Sequence, residues 1–262
     1  MNKLSAVLLL RFVFAAGAAG AAPVRVLLPL YIAHPAGGAY GSLWSSELVM
    51  HNGSQLLTYG IETCRPSGCT ADGRADEELL PNETEAGLPV RYPAPANPVA
   101  GAVLWLVPEN TASDTAENVA FNLRVVDLSR SATAAGTEIP VVREHDFRTS
   151  MVHLLNVPVD ARFRVALRLF EMNLDQANFT VEIFDQSNDM LLSRRQIRTS
   201  TGGVAPQGYT PGFAEITDIG AGAGSATRLR VQITAETPGA AFWAYASITN
   251  NDSQQITLVT PQ

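Results

Sequence analysis

The sequence predicts an all-β chain, built as two tandem antiparallel β-sandwiches behind a cleaved signal peptide. Three observations carry that expectation. Apolar and polar residues alternate strictly along several short segments, turn-forming residues separate those segments at short intervals, and an apolar leader opens the chain.

The leader comes first. Lys3 supplies a positive start, Leu4 to Ala16 is nearly all apolar, and Ala19-Gly20-Ala21 fits a small-residue cleavage box. Arg11 interrupts the apolar run, which is in any case shorter than the roughly 20 residues needed to span a bilayer. Residues 1–21 therefore read as a signal peptide, and a secreted or periplasmic location follows. No later segment is long and apolar enough to span, so no integral membrane segment is expected in the mature chain. Intact-mass measurement of exported protein should give a chain starting at Ala22. A mass that includes Met1 would show that the leader is retained as an anchor.

Composition narrows the partners. The 262 residues are 46% hydrophobic, enough for a real core and against global disorder. Lys3 is the only lysine. Removing it and Arg11 with the leader leaves 16 arginines against 25 acids, a net charge of −9. Such a chain has no general attraction to nucleic acid. The two cysteines stand in the run Cys64-Arg65-Pro66-Ser67-Gly68-Cys69. Pro and Gly favour a tight turn between them, and an oxidising compartment makes a Cys64–Cys69 disulfide the expectation. A metal site would need more ligands than this pair.

The strands follow from period-two patterning. Phe163, Val165, Leu167 and Leu169 fall on one face of Ala161–Glu171, with Arg162, Arg164 and Arg168 on the other. Phe179, Val181 and Ile183 repeat the pattern, as do Leu229, Val231 and Ile233 beside Arg228 and Arg230, and Phe121, Leu123 and Val125 beside Asn122 and Arg124. Less regular strands are expected near Val24–Ile32, Leu43–His51, Leu56–Cys64, Ala102–Val107, Met190–Ile197, Phe213–Ile219, Phe242–Asn250 and Gln255–Val259. The stretches Pro89–Pro98, Asp114–Asn118 and Gly220–Ala226 read as loops. The connections are too short for crossover helices, so pairing should be antiparallel. The weak composition at Ser129–Gly136 sets the boundary, giving domains 22–134 and 135–262.

The halves carry a faint echo. Trp44, Asn52-Gly53-Ser54-Gln55 and Thr58 recur at the same spacing as Trp243, Asn251-Asp252-Ser253-Gln254 and Thr257. Each copy reads as a hairpin, strand then polar turn then strand. The faces differ, however: Trp44 lies with Leu48 and Met50, and Trp243 with Ser247 and Thr249.

Candidate sites are sparse. His34, His51, His145 and His153 show no ligand spacing, and His145-Asp146 lacks a serine in nucleophile-elbow context. No phosphate or dinucleotide glycine pattern occurs, so no cofactor is expected. Asp185-Gln186-Ser187-Asn188-Asp189 is rich in oxygen ligands, but lacks the central Gly and terminal Glu of an EF-hand and reads first as a polar hairpin turn. Arg124, Arg162, Arg164, Arg168, Arg228 and Arg230 could gather on one sheet face for an acidic glycan, or pair with acids on neighbouring strands. The sequons at Asn52, Asn82, Asn178 and Asn251 read as turn residues.

Two stretches carry a resemblance. One runs from Ile139-Pro140-Val141-Val142-Arg143-Glu144 through Leu154-Leu155-Asn156-Val157-Pro158-Val159 to Phe163-Arg164-Val165. The other is Phe242-Trp243-Ala244-Tyr245-Ala246-Ser247-Ile248-Thr249-Asn250-Asn251. They resemble uncharacterised secreted bacterial proteins built from immunoglobulin-like β-sandwich domains. The resemblance implies a fold and an extracytoplasmic setting, and no activity. The expected function is a non-enzymatic binding or structural module for a protein or glycan partner, acting through loops or an exposed sheet face. A carbohydrate-binding module would show exposed aromatics, with Trp44, Trp105, Trp243 and Tyr245 the contributors. A hydrolase would show His145 or His51 in a cleft beside a carboxylate and a hydroxyl.

Overall fold

The computed structural model describes residues 24–32, 34–53, 56–65, 68–70, 77–87, 101–108, 116–130, 135–174, 176–200, 204–205, 208–209 and 211–262. The leader, its cleavage box and the Pro89–Pro98 stretch lie outside them. Among the described residues the structure is all-β, with four 3-10 turns and no α-helix. The first half holds β1 (Val24–Leu28), β2 (Ala36–Gly37), β3 (Leu43–Asn52), β4 (Leu57–Arg65), β5 (Gly68–Thr70), β6 (Glu77–Leu79), β7 (Thr84–Ala86), β8 (Gly101–Pro108), β9 (Val119–Asp127), β10 (Thr137–Ile139) and β11 (Val142–Arg143). The second holds β12 (Val152–Pro158), β13 (Phe163–Glu171), β14 (Asn178–Asp185), β15 (Met190–Arg198), β16 (Val204–Ala205), β17 (Gly208–Tyr209), β18 (Gly212–Ile216), β19 (Arg228–Ala235), β20 (Phe242–Asn250) and β21 (Ile256–Val259).

Every ladder is antiparallel. The first half stacks the sheet β11-β1-β8-β4-β5 on the sheet β10-β9-β3-β2, with β6 added beside β4 and β7 beside β3. The second stacks β12-β19-β14-β15 on β18-β13-β20-β21. Alternation decides which side chains fill each stack. Val26, Leu28, Leu104 and Leu106 of one sheet meet Leu48, Met50, Leu123 and Val125 of the other. Leu154, Val181, Ile183 and Val231 meet Leu167, Leu169, Ala244 and Ile248. Each large side chain buried this way contributes about 1.5–3 kcal/mol. The β10 and β11 strands lie beyond residue 134 yet pair with β9 and β1, so the first stack reaches Arg143.

The two halves repeat one topology in one register. Strands β1, β3, β4, β5, β7, β8, β9 and β10 correspond in order to β12, β13, β14, β15, β18, β19, β20 and β21. The central ladders match residue for residue. An aromatic-to-Asx pair opens both: Trp44 faces Asp127 at one end of β3–β9, and Phe163 faces Asn250 at the same end of β13–β20. Eight rungs later, Asn52 faces Val119 and Glu171 faces Phe242. Both closing residues are buried polar groups that tie down a following connection. Asn52 Nδ2 donates to the Leu79 carbonyl at 2.9 Å, and the Glu171 carboxylate accepts from the N–H groups of Asn173, Leu174 and Ala241. The echo that sets Trp44 against Trp243 is therefore out of register. Trp44 corresponds to Phe163, and β3 and β4, the strands on either side of the Asn52-Gly53-Ser54-Gln55 run, belong to opposite sheets and do not pair; Ser54 and Gln55 lie outside the described residues. Only the Asn251–Gln254 copy joins paired strands, β20 and β21.

Other sequence expectations shift for local reasons. β1 stops at Leu28, before Pro29, which has no N–H for a ladder. The β12 strand escaped the period-two reading because Asn156 takes φ 60° and the register slips between Leu154 and Val157.

The outer faces of the two stacks meet. Leu27, Val103, Trp105 and Val142 of the first half pack with Phe170, Met172, Phe213, Trp243 and Tyr245 of the second. Gly101 sits at this junction without room for a side chain. A Cβ there would lie 2.9 Å from both the Leu28 carbonyl oxygen and Phe170 Cζ. Gly101→Ala should lower stability by about 1–3 kcal/mol, read by denaturant unfolding. A neutral result would show that β8 can retreat from the junction.

Cys64 stands directly opposite Cys69 in the β4–β5 register. Their side chains lie outside the described residues. Non-reducing peptide mapping should find them linked within one peptide, and two free thiols in exported protein would refute the bridge.

Candidate functional site

At one end of the β3–β9 ladder the inward faces carry one aromatic and one carboxylate. Trp44 packs half-buried against the first core, and its cross-strand neighbour Asp127 is buried. The sequence Asp127-Leu128-Ser129 folds the chain back on itself at the end of β9. Asp127 Oδ1 accepts from the Leu43 N–H at 2.9 Å, from the Ser129 N–H at 3.1 Å and from Ser129 Oγ at 2.6 Å. Its Oδ2 meets Arg130 Nη1 at 3.4 Å. Burial alone would raise this carboxyl, but the Ser129 and Leu43 hydrogen bonds and the Arg130 charge outweigh it and hold the pKa below the ordinary Asp value. The group is a fixed anion at neutral pH.

The second half closes the other side. Arg130 Nη1 also donates to the Ser253 carbonyl at 3.2 Å, and Thr137 Oγ1 donates to the Ile256 carbonyl at 2.8 Å. Ile256 itself packs into the first core. The result is a cleft of about 420 Å³ between the halves, lined by Trp44, Asp127, Arg130, Thr137, Gln255 and Ile256, among others. That is within the usual range for a small-molecule site, about 300–1,000 Å³. Beside it, Arg164 holds the β20–β21 turn through Asn251 Oδ1 at 3.1 Å and Gln254 Oε1 at 3.0 Å, and lies 5.3 Å from the ring of exposed Tyr40. A second cleft of about 410 Å³ opens at the start of β13, around Phe163, Arg164, Asp160 and Asp218. Its Asp160 is held down to about 2 by hydrogen bonds from Arg162, whose charge adds to the effect.

The residues singled out from the sequence are dispersed. His51 Nδ1 lies 2.8 Å from Thr84 Oγ1 on the surface, and exposed His145 is 3.8 Å from Asp146. Neither lines the two clefts. The six arginines do not share a face. Arg124 is on β9, and Arg162 and Arg164 stand at the turn before β13 and in its first rungs. Arg168 pairs with Glu215 at the junction, while Arg228 and Arg230 lie on β19. Of the four candidate aromatics, Trp105, Trp243 and Tyr245 are buried in the junction and only Trp44 borders a cleft. Asp185–Asp189 forms the tight turn between β14 and β15. Asp185 accepts from the Ser187 N–H, Ser187 Oγ and Asn188 Nδ2, and Asp189 pairs with Arg230. Sequence reading missed Asp127 and Arg130; the one available signal was an Asp-x-Ser turn closing an alternating strand.

Asp127 and Asp185 are both lowered by serine hydrogen bonds. A carboxyl lowered in the fold stabilises it fully above its unfolded pKa, about 3.9, and that contribution is lost as pH falls through the lower folded value. Acid unfolding should therefore steepen below about pH 4. Asp185→Ala should lower the denaturant midpoint at pH 7, where the carboxylate accepts its turn hydrogen bonds, and much less at pH 2. An equal loss at both pH values would show that the charge is irrelevant.

No protein-family model matches the chain, and no curated protein matches it in sequence. Among solved structures, the lectin from Pleurotus ostreatus in complex with GalNAc is 10% identical with a TM-score of 0.22, covering 92% of this chain and 77% of that one. The apo form of that lectin is 10% identical with a TM-score of 0.21, covering 93% and 76%. Likeness at this level carries neither a fold nor a ligand to this chain. Among the described residues, no helix is long and apolar enough to cross a membrane.

Proposed function

We propose that the protein is a non-enzymatic extracytoplasmic binding module, and that its ligand enters the cleft between the two halves. The observation that carries this reading is the convergence of loops from both stacks on one cleft whose walls are tied together by Arg130–Ser253 and Thr137–Ile256. A site built on two bodies that share a buried junction is pre-organised, which lowers the cost of binding. We also read each half as immunoglobulin-like. The order β1-β8-β4 on one sheet and β10-β9-β3 on the other reproduces the B-E-D and G-F-C order of such domains, and the second half repeats it. The β5 and β7 strands, and their counterparts, are additions between the third and fourth strands of that order.

Exported protein incubated with ester, peptide and glycoside panels should show no turnover above the blank. Turnover that vanishes in His51→Ala or His145→Ala would overturn the reading in favour of a hydrolase.

A further inference from the structure

We propose that the junction cleft takes a neutral saccharide, with one ring lying against Trp44 and its hydroxyls meeting Asp127 Oδ2 and Arg130. The proposal rests on the reading of that cleft as a binding site and names its ligand class. A pyranose ring has a flat face of C–H groups and a rim of hydroxyls, each both donor and acceptor. The cleft offers the complement: an aromatic surface from Trp44, an apolar wall at Ile256, and planar polar groups around them. Asp127 is suited to the acceptor role. Its Oδ1 is saturated by three donors, so the carboxylate is held rigid, while among the described residues Oδ2 meets only the Arg130 contact at 3.4 Å. A hydroxyl approaching Oδ2 makes a charge-assisted bond to a group that needs no reorganisation.

Charge decides against other ligand classes. One carboxylate and one guanidinium cancel within the cleft, so neither an anion nor a cation is favoured there, and the net −9 of the mature chain further disfavours anions. An extended peptide would add to a free strand edge. Here Thr137 on the β10 edge already donates to Ile256.

The chain reports on this site by itself. Of its three tryptophans, Trp105 and Trp243 are buried in the junction, so Trp44 is the one at a cleft. Neutral and anionic glycans arrayed together are the probe, with array binders followed by tryptophan fluorescence titration on the full mature protein. The expected result is saturable binding of a neutral glycan with a change in emission. Asp127→Asn keeps an oxygen for the Leu43 and Ser129 donors and replaces Oδ2 with an amide, and it should weaken binding threefold or more. Trp44→Phe, which installs the ring found at the matching position Phe163, keeps the core packed and should abolish the emission change. Absence of any neutral binder, binding of anionic glycans alone, or a loss below threefold in Asp127→Asn overturns the proposal. A peptide that binds and loses affinity in Asp127→Asn would also overturn it, while leaving the cleft as the binding site. No ligand sensitive to either variant would remove both readings.

Discussion

Phe170→Ala should cost about 3–5 kcal/mol, the range for truncating a fully buried phenylalanine. Phe170 belongs to β13 but faces away from its own core, toward the first half. Its ring meets Phe213 at 5.0 Å in a tilted arrangement and closes against Gly101 of β8. Two consequences follow from that position. The cavity would open between the halves, where neither core can collapse alone to fill it. The first half would also lose part of its apolar cover, since Leu27, Val103 and Trp105 share the same cluster. Guanidinium unfolding of wild type should give one transition, because each half buries a face the other needs. In Phe170→Ala the midpoint should fall and the transition broaden or divide. A loss below about 1 kcal/mol with an unchanged single transition would show that the halves are not coupled through this face.

The contrast between core and junction explains what the sequence could reveal. Alternation marks a strand whenever one face is buried and the other is wet, and Phe163 to Leu169, Phe179 to Ile183 and Leu229 to Ile233 satisfied it. It fails where both faces are buried. Leu27 and Leu28, or Phe242 through Ala246, read as unbroken apolar runs because one set fills a core and the other the junction. Trp105, Trp243 and Tyr245 therefore looked like candidates for a surface platform and proved to be glue between the halves. Short edge strands such as β2, β7 and β11 carry two or three residues, too few for any period to register. The cleft was hidden for a different reason. Its lining comes from Trp44, Asp127, Thr137 and Ile256, and only the fold brings positions that far apart in sequence together. The repeat was obscured because the halves share ladder positions rather than residue types: Trp44 stands where Phe163 does, Asp127 where Asn250 does, Asn52 where Glu171 does.

Arg168→Met should be among the most damaging single polar changes in the chain, at about 3–5 kcal/mol. Arg168 Nε donates to Glu215 Oε1 at 2.7 Å, and both side chains are mostly buried. Its Nη1 donates to Tyr245 Oη at 3.3 Å, and that hydroxyl in turn donates to the Pro29 carbonyl of the first half at 2.6 Å. The chain of bonds runs from the second half into the first, beside the cluster of rings and aliphatic groups at the junction. Removing Arg168 strands the Glu215 carboxylate in that environment, with a desolvation cost no longer offset by its partner. The pair itself need not be stabilising, because its formation already desolvates two ions. Arg168→Met combined with Glu215→Leu should therefore recover most of the loss, ending within about 1 kcal/mol of wild type. Tyr245→Phe gives a third reading of the same network. It leaves the ion pair in place and removes the donor to Pro29, and should cost about 1–3 kcal/mol for an unsatisfied buried acceptor. Equilibrium unfolding of the two single variants and the double closes the cycle. Losses from Arg168→Met and Glu215→Leu that simply add would show that the two side chains act independently, and that their ion pair does not couple them across the junction.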